Sequence, residues 1–276
     1  MLVRTLAVVV VLAGAATVWA VSAPGQVPAP PETAAPVPYG LVAPKVAPKR
    51  AFFGRRAVRV DVRFTGDAPL DLRVEFVRGK TRKVVRSLAL PAAQPNVLQR
   101  VRWDALTTAG RAAPEGRYSV RVVTADGRRR RAGAFTLRGH MYPIRGSHAD
   151  RGPVGEFGVG RNGGRTHEGF DVNARCGVPL VAARAGRVTR SRYDPVLYGH
   201  EVIIRGRLNN RSYRYAHLRD PPLVSQGDIV RTGQQIGLVG RTGNARTVGC
   251  HLHFELRAGG VLIDPKGPLH AWDRSS

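Results

Sequence analysis

The sequence predicts a mainly β protein: a small β-sandwich followed by a second β domain. Three observations carry that reading. Apolar and polar residues alternate with a period of two in short runs, as in Val58-Arg59-Val60-Asp61-Val62-Arg63-Phe64 and Leu70-Asp71-Leu72-Arg73-Val74-Glu75-Phe76, the pattern of strands with one buried face. Turn dipeptides such as Gly79-Lys80 and Asp126-Gly127 separate the runs. Beyond residue 139 the chain is dense in Gly and in further short β-like runs. With 276 residues, 43% of them hydrophobic, it can build one large or two modest cores.

Residues 1–23 come first. Arg4 supplies a positive start, Thr5 to Val21 is uncharged, and Val18-Trp19-Ala20 and Val21-Ser22-Ala23 are candidate small-residue cleavage sites. The apolar stretch lies between the length of a signal core and that of a spanning helix, so a cleaved signal peptide and an uncleaved membrane anchor both fit. Either way the protein is expected to be exported, secreted or held in the cell envelope outside the cytoplasm. Residues 24–49 hold Pro24, Pro28, Pro30, Pro31, Pro36, Pro38, Pro44 and Pro48. Such spacing excludes helix and central strand and reads as a semi-extended Pro/Ala-rich linker.

The formal net charge is +25, and the excess is densest in residues 49–138. A chain this basic accumulates on polyanions. Anionic cell-wall polymers fit that description. Nucleic acid is not an expected partner, because the charge comes with an export segment and with no nucleic-acid motif. A membrane is expected to be met only through an uncleaved N-terminal anchor.

Residues 50–138 contain about seven short strands with polar alternate residues, which predicts a sandwich solvated on both outer faces. No His/Cys/Asp/Glu cluster occurs there. The stretch Trp103-Asp104, Gly110-Arg111, Pro114-Glu115-Gly116-Arg117-Tyr118 resembles the immunoglobulin-like module of the flagellar hook-capping protein. It departs from that module at Ala105, where the module has Gly, and at Glu115. The resemblance implies an immunoglobulin-like fold and no chemistry, hence a wall-binding module or a plain spacer.

Residues 139–276 carry three pieces of chemistry. In Cys250 to Leu256, read as a strand, His251 and His253 point to one face and Leu252 and Phe254 to the other. The two imidazoles can share a metal, or one can ligate while the other works on substrate. In His167-Glu168-Gly169-Phe170-Asp171 an imidazole and a carboxylate share parity if the segment is extended, and Gly169, Val172 and Pro179 argue against a helix. Both side chains are ordinary zinc donors. Tyr213-Arg214-Tyr215-Ala216-His217-Leu218 reads as a strand with Tyr213, Tyr215 and His217 on one face. His140, His148, His200 and His270 receive no role.

In this order the pieces resemble the lysostaphin/LytM-type zinc metallopeptidases, the peptidoglycan endopeptidase family. The match runs through His167/Asp171, Tyr215/His217/Leu218 and His251/His253. It continues through the connecting glycines Gly227, Gly233, Gly237, Gly240 and Gly243. The resemblance implies an antiparallel β-sheet domain of the duplicated-hybrid-motif type over 139–276. Its zinc ligands would be His167, Asp171 and His253, and its non-ligand catalytic histidines His217 and His251. Two His and one carboxylate leave a fourth position for water, which is the catalytic pattern. Which of His217 and His251 is the general base stays open. The expected activity is hydrolysis of peptide cross-links of peptidoglycan. The alternative is a wall-binding regulator that activates another cell-wall hydrolase, against which the complete donor set argues. A glycine bridge and a D-alanyl–diaminopimelate link both suit the apolar, Gly-lined groove expected here.

Cys176 and Cys250 are the only cysteines. Cys250 is out of phase with both motif histidines, so it faces away from the ligand side. In an exported protein the pair is expected as a disulfide, ahead of free thiols or zinc ligation.

Overall fold

A computed structural model describes residues 39–276. The export segment 1–23 and the linker as far as residue 38 lie outside the described residues. The first half contains β1 (Gly40–Ala47), β2 (Arg50–Phe52), β3 (Val58–Thr65), β4 (Leu70–Arg78), β5 (Val84–Ala93), β6 (Gln99–Trp103), β7 (Gly116–Thr124) and β8 (Arg129–Arg138). They make two sheets, ordered β1-β3-β6 and β2-β8-β7-β4-β5, antiparallel except where β2 meets β8.

The alternating apolar residues of both sheets bury into one core, as period-two strands require. At its centre Trp103 stacks on Phe76 and Tyr118 on Phe135, with ring centroids 4.5 and 5.4 Å apart. Their polar tips find carbonyls close by in sequence: Trp103 Nε1 donates to Leu106 and the Tyr118 hydroxyl to Pro114, both at 2.7 Å. The Trp…Pro-x-Gly-x-Tyr pattern is therefore a packing device here. Ala105 has φ +65°, a left-handed conformation in which a Cβ costs energy.

One boundary differs from the sequence reading. Residues 24–49 read as a single linker, yet Gly40–Ala47 is strand β1, paired antiparallel with β3. Proline density misled because β1 is an edge strand. Pro44 lies where the register slips between Val42 and Lys45, and an edge bulge accommodates a residue that cannot donate to the ladder.

The second half contains β9 (His148–Asp150), β10 (Gly160–Arg161), β11 (Arg165–Thr166), β12 (Phe170–Ala174), β13 (Pro179–Val181), β14 (Gly186–Asp194), β15 (Gly199–Gly206), β16 (Arg211–Leu218), β17 (Ile229–Val230), β18 (Gln235–Leu238), β19 (His251–Ala258), β20 (Val261–Ile263) and α1 (Lys266–Asp273). Its main sheet runs β17-β14-β15-β16-β19-β12-β9, with β20 beside β19 and every pairing antiparallel. One face is covered by the small β13-β18 sheet and by Leu269 and Trp272 of α1. The other face carries the site. No helix among the described residues is long and apolar enough to cross a membrane.

Specific contacts join the sandwich to this second half. Thr232 Oγ1 donates to the Phe53 carbonyl and accepts from the Ala185 N–H at 2.8 Å. The Arg184 guanidinium lies 4.2 Å from the Phe53 ring centroid and donates to the Gly139 carbonyl at 2.9 Å. His140, without a role in the sequence reading, stacks on Trp272 and bonds the Tyr213 hydroxyl.

Candidate metal centre

The site follows from strand register. β12 and β19 pair so that Asp171 stands opposite His253 and Asn173 opposite His251. Phe170, Val172, Leu252 and Phe254 take the other side and enter the core. His167 lies in the turn before β12, held by its N–H to the Val159 carbonyl and by its own carbonyl, which accepts from Gly158. That turn passes so close to β19 that a Cβ on Gly169 would lie 2.6 Å from the Phe254 carbonyl oxygen and 2.7 Å from His253 Cε1. Only glycine fits between the two ligand positions.

His167 Nε2, Asp171 Oδ1 and His253 Nδ1 form a triangle with sides of 3.0, 2.9 and 2.9 Å. The outer nitrogens assign the tautomers. His167 Nδ1 faces the Glu156 carbonyl at 2.7 Å, and His253 Nε2 faces the Glu255 carboxylate at 3.3 Å. Both partners only accept, so those nitrogens carry the protons. With a cation at the centre, the inner nitrogens present lone pairs to it together with the Asp171 oxygen; without one, protons on those nitrogens bridge to Asp171 instead. Around a tetrahedral zinc with bonds of about 2.0–2.1 Å, donors stand roughly 3.3 Å apart, so the donor chemistry and spacing fit the metal.

Burial opposes charge on both Asp171 and His253. Hydrogen bonds from His167 and His253 nevertheless hold the Asp171 carboxyl well below the usual carboxylate range. Asp171 and Glu255, one on each ring nitrogen, push His253 up to about 9. A proton and a metal ion compete for the same lone pair.

His217 and His251 flank the triangle, their rings 4.9 Å apart and the His217 ring 5.7 Å from that of His253. His217 Nδ1 donates to the Thr242 carbonyl at 2.9 Å and keeps its Nε2 lone pair for the groove. His251 Nδ1 stands between an acceptor, the Gly249 carbonyl at 2.8 Å, and a donor, Arg151 Nη1 at 2.9 Å, so these neighbours do not select its tautomer. Burial pushes His217 down to about 3 and also lowers His251, so both rings are neutral.

The five predicted residues therefore meet, with one correction. Tyr213, Tyr215 and His217 do not share a face: the tyrosines enter the core, while His217 lines the groove. His217 has φ +60°, and the β15–β16 register slips between His200 and Val202. This bulge turns His217 to the side that strict alternation denies it.

The sequence reading passed over a buried ion network behind the triangle. Glu255 accepts from Arg214 Nη1 at 2.7 Å, and Arg214 Nε lies 3.0 Å from Glu201. Glu255 and Glu201 are only 2% and 0% exposed. The network orients His253 through its outer nitrogen, a support that metal-binding histidines commonly have. Its signal was legible, since Glu255 has the same parity as His251 and His253. On the core side, Cys250 pairs with Cys176 in a disulfide, with 5.3 Å between Cα atoms.

Residues 165–265 match the family model described as Peptidase family M23. This segment is an M23 peptidase domain. Relatives of the domain include the peptidoglycan DD-endopeptidase ShyC of Vibrio cholerae, 38% identical over 102 residues that make up 37% of this chain and 22% of that protein. The lipoprotein NlpD/LppB homolog of Pseudomonas aeruginosa is 35% identical over 114 residues, 41% of this chain and 35% of that protein. The catalytic domain of lysostaphin from Staphylococcus simulans is 27% identical, over 45% of this chain and 92% of that one, with a TM-score of 0.37. The M23 match spans between 20% and 38% of the curated relatives' length.

Proposed function

We propose that this protein is an exported zinc metalloendopeptidase that hydrolyses peptide cross-links of bacterial peptidoglycan. The observation that carries the proposal is the convergence of three donor atoms from His167, Asp171 and His253 at the floor of an open groove of about 540 Å³. The names of the M23 relatives supply the substrate class.

In this reading His167, Asp171 and His253 hold the zinc. The chemistry such an ion supplies is polarisation of the scissile carbonyl and acidification of water to a pKa of about 7. His217 and His251 do the proton work. Both rings are neutral, so either can take the proton of the attacking water on its bare ring nitrogen. The ring that does so becomes a donor and returns that proton to the leaving amine. Glu255 and Glu156 hold the two ligand imidazoles in the tautomers that the site needs. Residues 1–23 provide the export segment. The basic sandwich suits retention on anionic wall polymers.

A wall-bound regulator of another hydrolase would have no use for three converging donors. Elemental analysis and peptidoglycan digestion, with and without a chelator, separate the two readings. The expected result is one zinc per chain and chelator-sensitive release of peptide fragments. A zinc-free protein that releases nothing alone, yet accelerates a second hydrolase, would replace the proposal.

A further inference from the structure

The groove at the metal centre is not the apolar, Gly-lined channel expected from the sequence, because Arg151 and Arg161 stand along it. Both are bonded within the site. Arg151 donates to Asn173 Oδ1 at 3.3 Å and to the Gly249 carbonyl at 3.4 Å. Arg161 donates to the Val154 carbonyl at 2.8 Å and lies 3.7 Å from Asp171. The outer face of the β1-β3-β6 sheet is different. β3 buries Val60 and Val62 and β6 buries Val101, so Arg59, Asp61, Arg63, Arg100 and Arg102 turn outward. Lys45 of β1 joins them, because it stands opposite Asp61. The register also sets Asp61 against Arg100, and Arg59 directly against Arg102. Five cations thus share this face with one acid. Asp61 accepts from Arg100 at 2.8 Å and has Arg59 at 3.4 Å. Lys45, Arg63 and Arg102 are exposed, and no side-chain ion pair among the described residues engages them. Like charges directly opposite one another weaken an antiparallel pair. Stability alone therefore opposes the Arg59–Arg102 pairing, and nothing inside the protein offsets it.

We infer that this face binds a polymer joined by phosphodiesters, of the polyol-phosphate or sugar-phosphate kind. The cations recur about 7 Å apart along each strand and about 5 Å apart across strands. A single anion meets one or two of them, whereas a chain charged in every repeat meets the whole grid. Such a chain also releases its counterions as it docks. Arginine supplies four of the five cations, and a guanidinium fork grips a phosphate with paired N–H donors. Nucleic acid fits this face less well. No aromatic ring stands among the outward residues for a base to stack on, and a sheet face has no helix or two-stranded ribbon to enter a duplex groove. The inference lies outside the metal centre and does not depend on the hydrolase reading. It assigns retention to one face of one sheet rather than to net charge.

The test uses the full chain and three probes: poly(glycerol phosphate), polygalacturonate, and vesicles of phosphatidylcholine with phosphatidylglycerol. Dissociation constants are measured by calorimetry across a range of salt concentrations. Two triple variants are compared. One replaces Lys45, Arg63 and Arg102 with Gln. The other removes the same charge from the M23 half, at the exposed Arg175, Arg231 and Arg241. Poly(glycerol phosphate) should bind more tightly than either other probe. The sandwich variant should lose about tenfold or more of that affinity, the worth of one charged hydrogen bond. Its salt dependence should flatten, by up to about one unit of slope for each lost phosphate contact. Its melting temperature should hold or rise, because the Arg59–Arg102 repulsion is gone. The M23-half variant should bind nearly as well as the parent chain. Equal losses in the two variants would make net charge sufficient and overturn the assignment of a face. Polygalacturonate or vesicles binding as tightly as poly(glycerol phosphate) would overturn the phosphodiester polymer as its partner.

Discussion

The two halves of this chain are built from the same alternating strands and use their interiors differently. In the sandwich, aromatic rings fill the core and each polar tip reaches a carbonyl nearby in sequence. Thr124 is the only buried polar or charged residue among its described residues. In the M23 half, four histidines, Asp171, Glu201 and Glu255 are buried together on one face of the main sheet. Burying ionised groups costs several kcal/mol each unless they are paired, and burying rings of matching shape does not. The sandwich is arranged for stability. The sheet face accepts an electrostatic cost that only a bound cation and a reaction would justify.

Substitutions can break this contrast at several points. The largest effect on the site is expected from His253→Ala, which should remove both zinc and turnover. Stoichiometric zinc in that variant would mean that the triangle is not the ligand set. Next, His217→Ala and His251→Ala should each keep close to one zinc per chain while turnover falls by about a hundredfold or more. Zinc content measured beside fragment release reports the split. Zinc loss in His251→Ala would exchange the roles of His251 and His253.

A smaller effect is expected behind the triangle. Glu255→Ala should weaken zinc binding by roughly 10- to 100-fold, read by competition with a chelator, and Glu255→Gln should recover part of it because its carbonyl still accepts from His253. An unchanged zinc affinity in Glu255→Ala would reduce the ion network to packing. The smallest effect on the site should come from the other half. Trp103→Ala removes the centre of the aromatic core and should cost about 3–5 kcal/mol of stability, yet the fraction still folded should bind zinc as tightly as before. If zinc affinity dropped with it, the two halves would be coupled more closely than their separate interiors indicate.

Much of this was legible in the chain because period-two parity is a local property. The set of five candidate site residues comes from the resemblance to the lysostaphin/LytM-type family and the pairing of Cys176 with Cys250 from the expected export, whereas the separation of His251 and His253 from Leu252 and Phe254 follows from which residues stand where along a strand. The same parity marks Glu255. The tertiary structure decided what parity cannot carry. A bulge in β16 puts His217 on the face that alternation assigns to the core, and β1 turns a Pro-rich stretch into an edge strand. Partner carbonyls and carboxylates choose which nitrogen of His167, His217 and His253 is bare. The loop before β12 folds over β19, bringing arginines that are scattered in sequence alongside His251 and Asp171. Alternation is set by neighbouring residues in the backbone, whereas bulges, tautomers and the charge of a groove are set by groups that meet only when distant strands pack.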